Sequence, residues 1–304
     1  MFLFFGLSSL LLIQTDSKGN IKDIGIIALL LGSLLSKETG ILFLIVIPVY
    51  QKLFKNKWQP ALAQAGVALL IYLFLRIGVA HIYLNSEEVF RFQLMQLTLL
   101  QRMINVPEII FFYIRIFFYP DNLLVYQRWV ITGINFQNFY LPLLLDLIFI
   151  IPLGFYGYRI YKKHFVQFKI YLFFLTWFIL GIGAHLHIIP LDYTIADRWF
   201  YLPIIGLLGM IATLISTIQV KRKFIKPLFL LVLAVIIGAF SIRDIVRNRN
   251  WSDAFTLYLH DIQIDPDNYA LQSGLGIELL TGGNLTKPKA ICCILFAFFQ
   301  TTRI

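Results

Sequence analysis

Long apolar stretches constrain this chain more than any other feature. A helix needs about 20 apolar residues to cross the hydrocarbon core of a bilayer, and the stretches of that kind are Pro60–Tyr83, Tyr140–Tyr158, Ile170–Ile189, Trp199–Ile218 and Pro227–Ile242. Soluble proteins are roughly 45–50% apolar and about 25% charged, whereas this chain is 59% hydrophobic and 14% charged. The pattern predicts an all-α fold, a polytopic transmembrane helical bundle.

Three further apolar segments are too short or too interrupted to cross a bilayer as one helix. Met1–Ile13 is short, and Pro107–Tyr119 is short and carries Arg115, which is typical of an interfacial or re-entrant helix. Ile24–Tyr50 contains Lys37 next to Glu38. Because charged groups inside a membrane helix are costly, we expect two short helices that meet at this pair.

The placement of the basic residues predicts the orientation. Gln51–Pro60, Arg159–Lys169 and Lys221–Lys226 are basic loops without Asp or Glu. The positive-inside rule places such loops in the cytoplasm, so the tail after Arg243 should lie on the other side. Since these loops account for much of the net charge of +10, we expect no nucleic-acid partner. The location would be the plasma membrane in a prokaryote or the endoplasmic reticulum in a eukaryote.

Ionisable residues collect in the outer halves of the predicted spans. They are Lys37, Glu38, Arg76, Asp146, His185, His187, Asp197 and Arg198. Each one alone has a simpler explanation: interfacial snorkelling, packing histidines, or a structural hydrogen bond of Asp146. Their shared location nevertheless predicts an outward-facing polar cavity, because intramembrane ionisable groups usually serve a function.

The tail after the last span has the spacing of a helical repeat. Trp251–Tyr258 predicts an amphipathic helix that ends at Asp265–Asn268, and Leu275 and Gly283 fit the first helix of a following repeat. The pattern fails near Pro288. About three repeats are needed to bury a common core, so the tail alone would form only a short helical segment.

These features divide the chain into three predicted parts. Residues 1–243 would form the multi-span domain, 244–283 a tetratricopeptide-like helical segment, and 284–304 an anomalous tail that we expect to reflect a premature or out-of-frame end. The adjacent Cys292 and Cys293 imply neither a disulfide framework nor a metal site.

Four motifs occur in a particular order along the chain. They are Leu34-Leu-Ser-Lys-Glu-Thr-Gly40, Thr176-Trp-Phe178 followed by Ile189-Pro190, Ala196-Asp-Arg-Trp-Phe-Tyr-Leu-Pro203 followed by Gly206, and Arg247-Asn-Arg-Asn-Trp-Ser-Asp253. Together they resemble the membrane mannosyltransferases that carry tetratricopeptide repeats, over most of the chain up to about Gly283. No single motif is specific, so the order and the predicted topology carry the resemblance.

The resemblance implies a GT-C-type glycosyltransferase. Such an enzyme transfers a sugar, mannose in the family that the chain resembles, from a polyprenyl-phosphate donor to a protein or glycan acceptor on the outer face of the membrane. The residues expected to bind the donor phosphate are Lys37, Arg76 and Arg198, as charge-assisted donors that stabilise the departing phosphate.

Four more residues are expected to line or support this site. Glu38 would orient Lys37 or the sugar, and Tyr201 would pack against the cavity wall or donate a hydrogen bond. Asp146 and Asp197 are the remaining acidic candidates. We expect no cofactor, and no ligand spacing supports a metal or a divalent ion that would assist the donor phosphate.

One element of the implied family is missing. Its catalytic carboxylate lies in an external loop after a first transmembrane helix, but this chain starts at Met1 within an apolar segment. Asp16 and Asp23 fall in a loop predicted to be cytoplasmic, so no catalytic residue can be assigned. We therefore expect a chain that is truncated at its N-terminus and inactive by itself.

Two other classes of protein fit part of the pattern. A transporter or flippase would also have a polar cavity, but the chain lacks duplicated halves and its charges collect at the outer edge rather than at the midplane. A membrane-anchored scaffold would bind a protein partner through the tail, although the repeat tract is short and broken.

Overall fold

The computed structural model describes residues 1–15, 19–56, 58–82, 93–121, 123–125, 127–218 and 225–281. The helices are α1 Phe2–Gln14, α2 Asn20–Ser36, α3 Phe43–Tyr50, α4 Trp58–Leu73, α5 Gln93–Gln96, α6 Leu99–Ile104, α7 Val106–Phe118, α8 Leu141–Lys163, α9 Phe165–Gly183, α10 Tyr201–Ser216, α11 Ile225–Asn250, α12 Ala254–Ile264 and α13 Tyr269–Thr281. Within these residues no β-strand forms, and Gln127 and Ile195 make one isolated antiparallel bridge. The predicted all-α class is confirmed.

Four helical segments are long and apolar enough to cross a membrane. They are Trp58–Val79, Phe136–Lys163, Phe165–Gly183 and Pro227–Asn250. The first two include π-helical turns, Phe74–Val79 and Phe136–Tyr140. The remaining predicted span forms α10, whose 16 residues are fewer than the roughly 20 that a bilayer requires.

The predicted break at Lys37 is confirmed. α2 ends at Ser36, Lys37 is extended, and a 3-10 turn over Glu38–Leu42 leads into α3. A Cβ at Gly40 would lie 2.5 Å from the carbonyl oxygen of Ser33. Only glycine therefore lets the chain turn back so closely over the end of α2.

The prediction that Arg159–Lys169 forms a loop is wrong. α8 continues to Lys163 and α9 begins at Phe165, so His164 alone separates the two helices. Lysine and arginine are good helix formers and are favourable in the last turn of a helix, which explains why basic residues extend α8. In the first predicted loop, Gln51–Lys55 continues α3 as a π-helical turn, and most of the third lies outside the described residues.

The chain forms two compact units. One contains residues 1–114, 130–192 and 198–217, and the other contains residues 115–129, 193–197 and 218–304. The core of the first unit consists of apolar side chains from α1, α2, α3, α4, α9 and α10, among them Ile13, Leu30, Phe43 and Trp177. This core includes both halves of the broken helix pair α2 and α3.

α9 and α10 approach each other more closely than side chains normally permit. A Cβ at Gly206 would lie 2.5 Å from the backbone nitrogen of Phe178, and one at Gly181 would lie 3.0 Å from the backbone of Pro203. The indole Nε1 of Trp177 donates a hydrogen bond to the Leu202 carbonyl at 3.0 Å. Glycine therefore determines the distance at which the start of α10 is held.

The second unit contains the tail as a pair of helices. Asp253 caps α12 by accepting a hydrogen bond from the Thr256 amide at 2.7 Å, and α12 ends at Ile264, just before Asp265. Leu275 and Leu279 of α13 are buried in the contact with α12. The predicted helix and its end are confirmed, whereas Gly283, Pro288 and the predicted 284–304 tail lie outside the described residues.

Asp261 joins three segments of the second unit. Its side chain is fully buried and accepts two hydrogen bonds from the Arg247 guanidinium at 2.8 and 3.3 Å. It also accepts one from the Val125 amide at 2.8 Å and lies 2.9 Å from Nδ1 of His260. The carboxylate thus ties the end of α11 and the 123–125 segment to α12.

We expect Gly206→Ala to destabilise the protein, because the added methyl group meets the backbone of α9 rather than a flexible side chain. Overpacking of this kind costs about 1–3 kcal/mol, which thermal unfolding in detergent measures as a lower midpoint. Gly66→Ala is the matched control, since a Cβ at Gly66 meets nothing within 4 Å. An unchanged midpoint for Gly206→Ala would contradict the tight packing.

We expect Asp261→Ala to release α12 and α13, because it leaves the largely buried Arg247 without its carboxylate. Breaking a buried ion pair on one side costs about 3–5 kcal/mol. Hydrogen–deuterium exchange should accelerate in residues 254–281 and stay unchanged in α9. Asp267→Ala, at an exposed position, is the control and should leave both regions protected.

Candidate functional site

Lys37 lies at the break between α2 and α3. Its Nζ is 5.9 Å from the centre of the Phe2 ring, and its charge interacts with that of Arg198. Partial burial and the like charge of Arg198 lower the pKa of Lys37, while Glu38 acts in the opposite direction. The break therefore brings two predicted phosphate ligands from distant parts of the sequence into one electrostatic environment.

Glu38 pairs with Arg76 across the space between the helix break and α4. The distance from Nη1 of Arg76 to Oε1 of Glu38 is 2.9 Å, and the Tyr72 hydroxyl accepts a second hydrogen bond from the same nitrogen. The hydrogen bond from Arg76 lowers the pKa of Glu38. Because Arg76 has a carboxylate partner, its charge is largely compensated, and Glu38 contacts Arg76 directly rather than Lys37.

Arg198 is exposed and is followed in the chain by two buried aromatic residues. It belongs to a short 3-10 helix, Asp197–Trp199, directly before α10. Trp199 stacks on the His185 ring at 4.9 Å, and Phe200 stacks on the Tyr113 ring at 5.2 Å. The stacking of Trp199 and Phe200 fixes the backbone that follows Arg198. The position of the Arg198 side chain therefore depends on these two contacts.

Tyr201 begins α10 beside the same group of residues. Its ring lies 5.9 Å from that of Phe2, which also faces Lys37. The structure therefore brings Lys37, Glu38, Arg76, Arg198 and Tyr201 together, which we call the cationic cluster. Asp197 precedes Arg198 in the chain and is half-buried.

Asp146 does not join the cationic cluster. It is 3% exposed, and neither carboxylate oxygen has a hydrogen-bond partner among the described residues. Among the described residues no donor supports the structural hydrogen bond expected as an alternative, and the charge that acts on Asp146 is that of Glu108, which has the same sign. A buried carboxylate without a donor is uncommon in native proteins.

His185 and His187 follow the end of α9, outside the helix that was predicted to contain them. His185 is buried, with Nδ1 2.9 Å from the Gly181 carbonyl oxygen. His187 is fully buried, and its φ of +59° lies in the left-handed region. The packing role predicted for His185 is confirmed.

Sequence reasoning did not predict that His185 and His187 lie beside the cationic cluster. The charges of Lys37 and His187 both act on His185, which stacks on Trp199 beside Arg198. The signal was available in the short spacing between the histidines and the Ala196–Pro203 motif, but the predicted span Ile170–Ile189 placed both histidines inside a helix. In the structure α9 ends at Gly183, which frees the following segment to turn toward Trp199.

A metal centre is not built into the described part of the chain. No group of three or more His, Cys, Asp or Glu side chains there could hold a metal ion. The cluster's polar groups are mainly cationic, which suits an anionic ligand better than a cation.

No protein-family model, no curated protein and no solved structure matches this chain. The resemblance to repeat-carrying membrane mannosyltransferases therefore depends on the order of the four motifs and on the predicted topology.

We expect the protein to lose stability as the pH falls from about 6.5 to about 4. Burial lowers the pKa of His185 from 6.5 to about 4. In that window the unfolded chain binds a proton that the folded chain does not, so stability decreases with falling pH, by up to roughly 3 kcal/mol at the low end. Thermal unfolding midpoints at pH 7 and pH 5 measure the effect.

His185→Phe is the control for this prediction. Phenylalanine can still stack on Trp199 but does not titrate. The difference between the two midpoints should therefore shrink relative to the unaltered protein. An equal difference in both proteins would show that other groups cause the pH dependence.

Proposed function

We propose that this chain is a membrane glycosyltransferase of the GT-C type, or a part of one, that takes a sugar from a polyprenyl-phosphate donor. The observation that carries the proposal is that Lys37 at the helix break and Tyr201 near Arg198 each lie 5.9 Å from the Phe2 ring. Arg198 acts electrostatically on Lys37, and Arg76 is paired with Glu38. The three cations Lys37, Arg76 and Arg198 outnumber the two acidic neighbours Glu38 and Asp197, so the cluster has a net positive charge. A phosphate ester is the anionic group that such an arrangement suits.

The geometry of the cluster supports distinct roles for its residues. Arg198 is exposed and can present its planar fork to two phosphate oxygens, whereas Lys37 acts as a point charge. Both would stabilise the negative charge that develops on the departing polyprenyl phosphate. Glu38 and Tyr72 hold Arg76 in place, so Arg76 would contribute mainly by shaping the wall of the site.

Tyr201 and Asp197 are the other residues proposed to line or support the site. Tyr201 is close enough to the Phe2 ring to form part of the cavity wall, and Asp197 would help to position Arg198. Transfer of the sugar also needs a base that accepts the proton of the acceptor hydroxyl. We assign no residue of this chain to that role.

The proposal includes a location and partners. The chain would cross the membrane several times, with the cationic cluster and the C-terminal tail on the non-cytoplasmic side, in a plasma membrane or the endoplasmic reticulum. The acceptor would be a protein or a glycan. The α12–α13 helix pair would offer a surface to a protein partner, as tetratricopeptide repeats do.

One observation favours a transporter or flippase instead. Asp146 is buried in a candidate span without a hydrogen-bond donor, and intramembrane carboxylates are typical of proton-coupled transport. A transporter would move the polyprenyl phosphate across the bilayer, whereas the proposed enzyme would only bind it.

We expect Arg198→Gln to weaken binding of the donor. The probe is undecaprenyl phosphomannose in detergent micelles, with binding measured on the purified full chain. Loss of a charge-assisted hydrogen bond costs about 1.5–3 kcal/mol, which is roughly a 10- to 100-fold weaker affinity. Arg198→Lys should lose less, because it keeps the charge.

Arg159→Gln is the matched control, since it removes one arginine from the exposed end of α8. Its affinity should equal that of the unaltered chain. Equal affinities for Arg198→Gln and Arg159→Gln would overturn the assignment of the site. Movement of a fluorescent polyprenyl phosphate across proteoliposomes, lost on Asp146→Asn, would instead support the transporter.

A further inference from the structure

A cavity of about 530 Å³ lies in the second unit, beside the end of α11. Its polar lining consists of Arg243, Arg247, Asn250 and His260. Cavities that bind small ligands or lipid headgroups have volumes of about 300–1,000 Å³. None of these residues belongs to the cationic cluster, so this cavity is a separate site.

One face of α11 supplies most of the cavity wall. Ala239, Ile242, Arg243, Val246 and Arg247 lie three or four positions apart, which is the spacing of neighbours on one side of a helix. The face is apolar up to Ile242, and beyond it three of the four lining residues, Arg243, Arg247 and Asn250, are polar, with Val246 between them. Ile264 of α12 and Leu123 add further apolar surface to the lining.

The change from apolar to polar coincides with the expected edge of a bilayer. α11 belongs to a candidate span whose apolar window has no buried residue, as expected for a helix that faces lipid. At ~1.5 Å per residue the apolar stretch Pro227–Ile242 is about 24 Å long, somewhat less than the roughly 30 Å hydrocarbon core. When this helix crosses a membrane, Arg243 therefore lies near the edge of the hydrocarbon core, and its long side chain can reach the lipid headgroups.

The two arginines of the cavity differ in how their charges are balanced. Arg247 is paired with the buried carboxylate of Asp261 at 2.8 Å. The Nε of Arg243 donates to the Pro120 carbonyl oxygen, and its guanidinium lies 5.9 Å from the Tyr119 ring. In the part of the chain that the structure describes, no carboxylate forms an ion pair with Arg243, so the cavity keeps a net positive charge.

We propose that this cavity binds the phosphate of an anionic phospholipid at the membrane surface. Arg243 contacts the phosphate with its terminal nitrogens, and Asn250 and His260 line the polar side. The glycerol and the first methylenes of the lipid pack against Ala239 and Ile242. A soluble phosphate would use the charge but not the apolar wall, and a zwitterionic lipid would not compensate the net charge.

The test compares lipids on the full chain purified in a mild non-ionic detergent. Native mass spectrometry measures bound phosphatidylglycerol, phosphatidylcholine and inorganic phosphate at matched concentrations. We expect phosphatidylglycerol to bind, and Arg243→Gln to weaken it roughly tenfold or more, as expected for loss of a charge-assisted contact. Arg249→Gln is the matched control, since it removes the same charge from α11 outside the cavity lining.

A second variant keeps the test decisive if Arg243→Gln fails to fold. Ala239→Trp fills the apolar side of the cavity without changing the charge and should also abolish phosphatidylglycerol binding. Equal binding in Arg243→Gln and Arg249→Gln would overturn the site. Equal binding of phosphatidylcholine, or binding of inorganic phosphate as tight as that of phosphatidylglycerol, would overturn the assignment of its occupant.

Discussion

The hydrocarbon core of a bilayer offers no hydrogen-bond partners to a peptide group, so a chain that crosses it must satisfy its backbone internally. The four helical segments that are long and apolar enough to cross a membrane meet this requirement. The chain breaks at Lys37, where a charged pair would be costly within one apolar helix, and Gly40 lets the 3-10 turn pack closely against the Ser33 carbonyl. The cationic cluster occurs at this break because an extended residue and a short turn can present polar side chains that a continuous buried helix could not.

Close packing of α9 against α10 positions the other residues of the cluster, Arg198 and Tyr201. Gly206 and Gly181 allow backbone contact, and the bond from Trp177 to the Leu202 carbonyl fixes the start of α10. Arg198 lies just before that start and is followed by the buried residues Trp199 and Phe200. Its position therefore depends on glycines that have no chemical role of their own, since any larger residue there would push the helices apart.

The cationic cluster and the cavity beside α11 share one design, although they belong to different units. In each, one arginine is compensated by a carboxylate: Arg76 by Glu38 and Arg247 by Asp261. Further basic residues lie beside each pair, Lys37 and Arg198 in the first case and Arg243 in the second. In both proposed sites the paired arginine would form a fixed wall, and the other cation would bind the anion. This arrangement avoids crowding uncompensated charges at the edge of an apolar region.

The sequence by itself determined the helical class, the break at Lys37 and the end of the tail helix at Asp265, because hydrophobic run length, intramembrane charge and capping residues act locally. It misjudged Arg159–Lys169, where basic residues continue a helix instead of forming a loop, and it placed His185 and His187 inside a span. Only the tertiary structure decided which distant charges interact. Arg76 pairs with Glu38 and Arg247 pairs with Asp261, whereas Arg198 acts on Lys37, and Glu108 on Asp146, as like charges. The physical reason is that these pairings depend on how closely helices pack, and that distance is set by small residues and aromatic anchors far away in the chain.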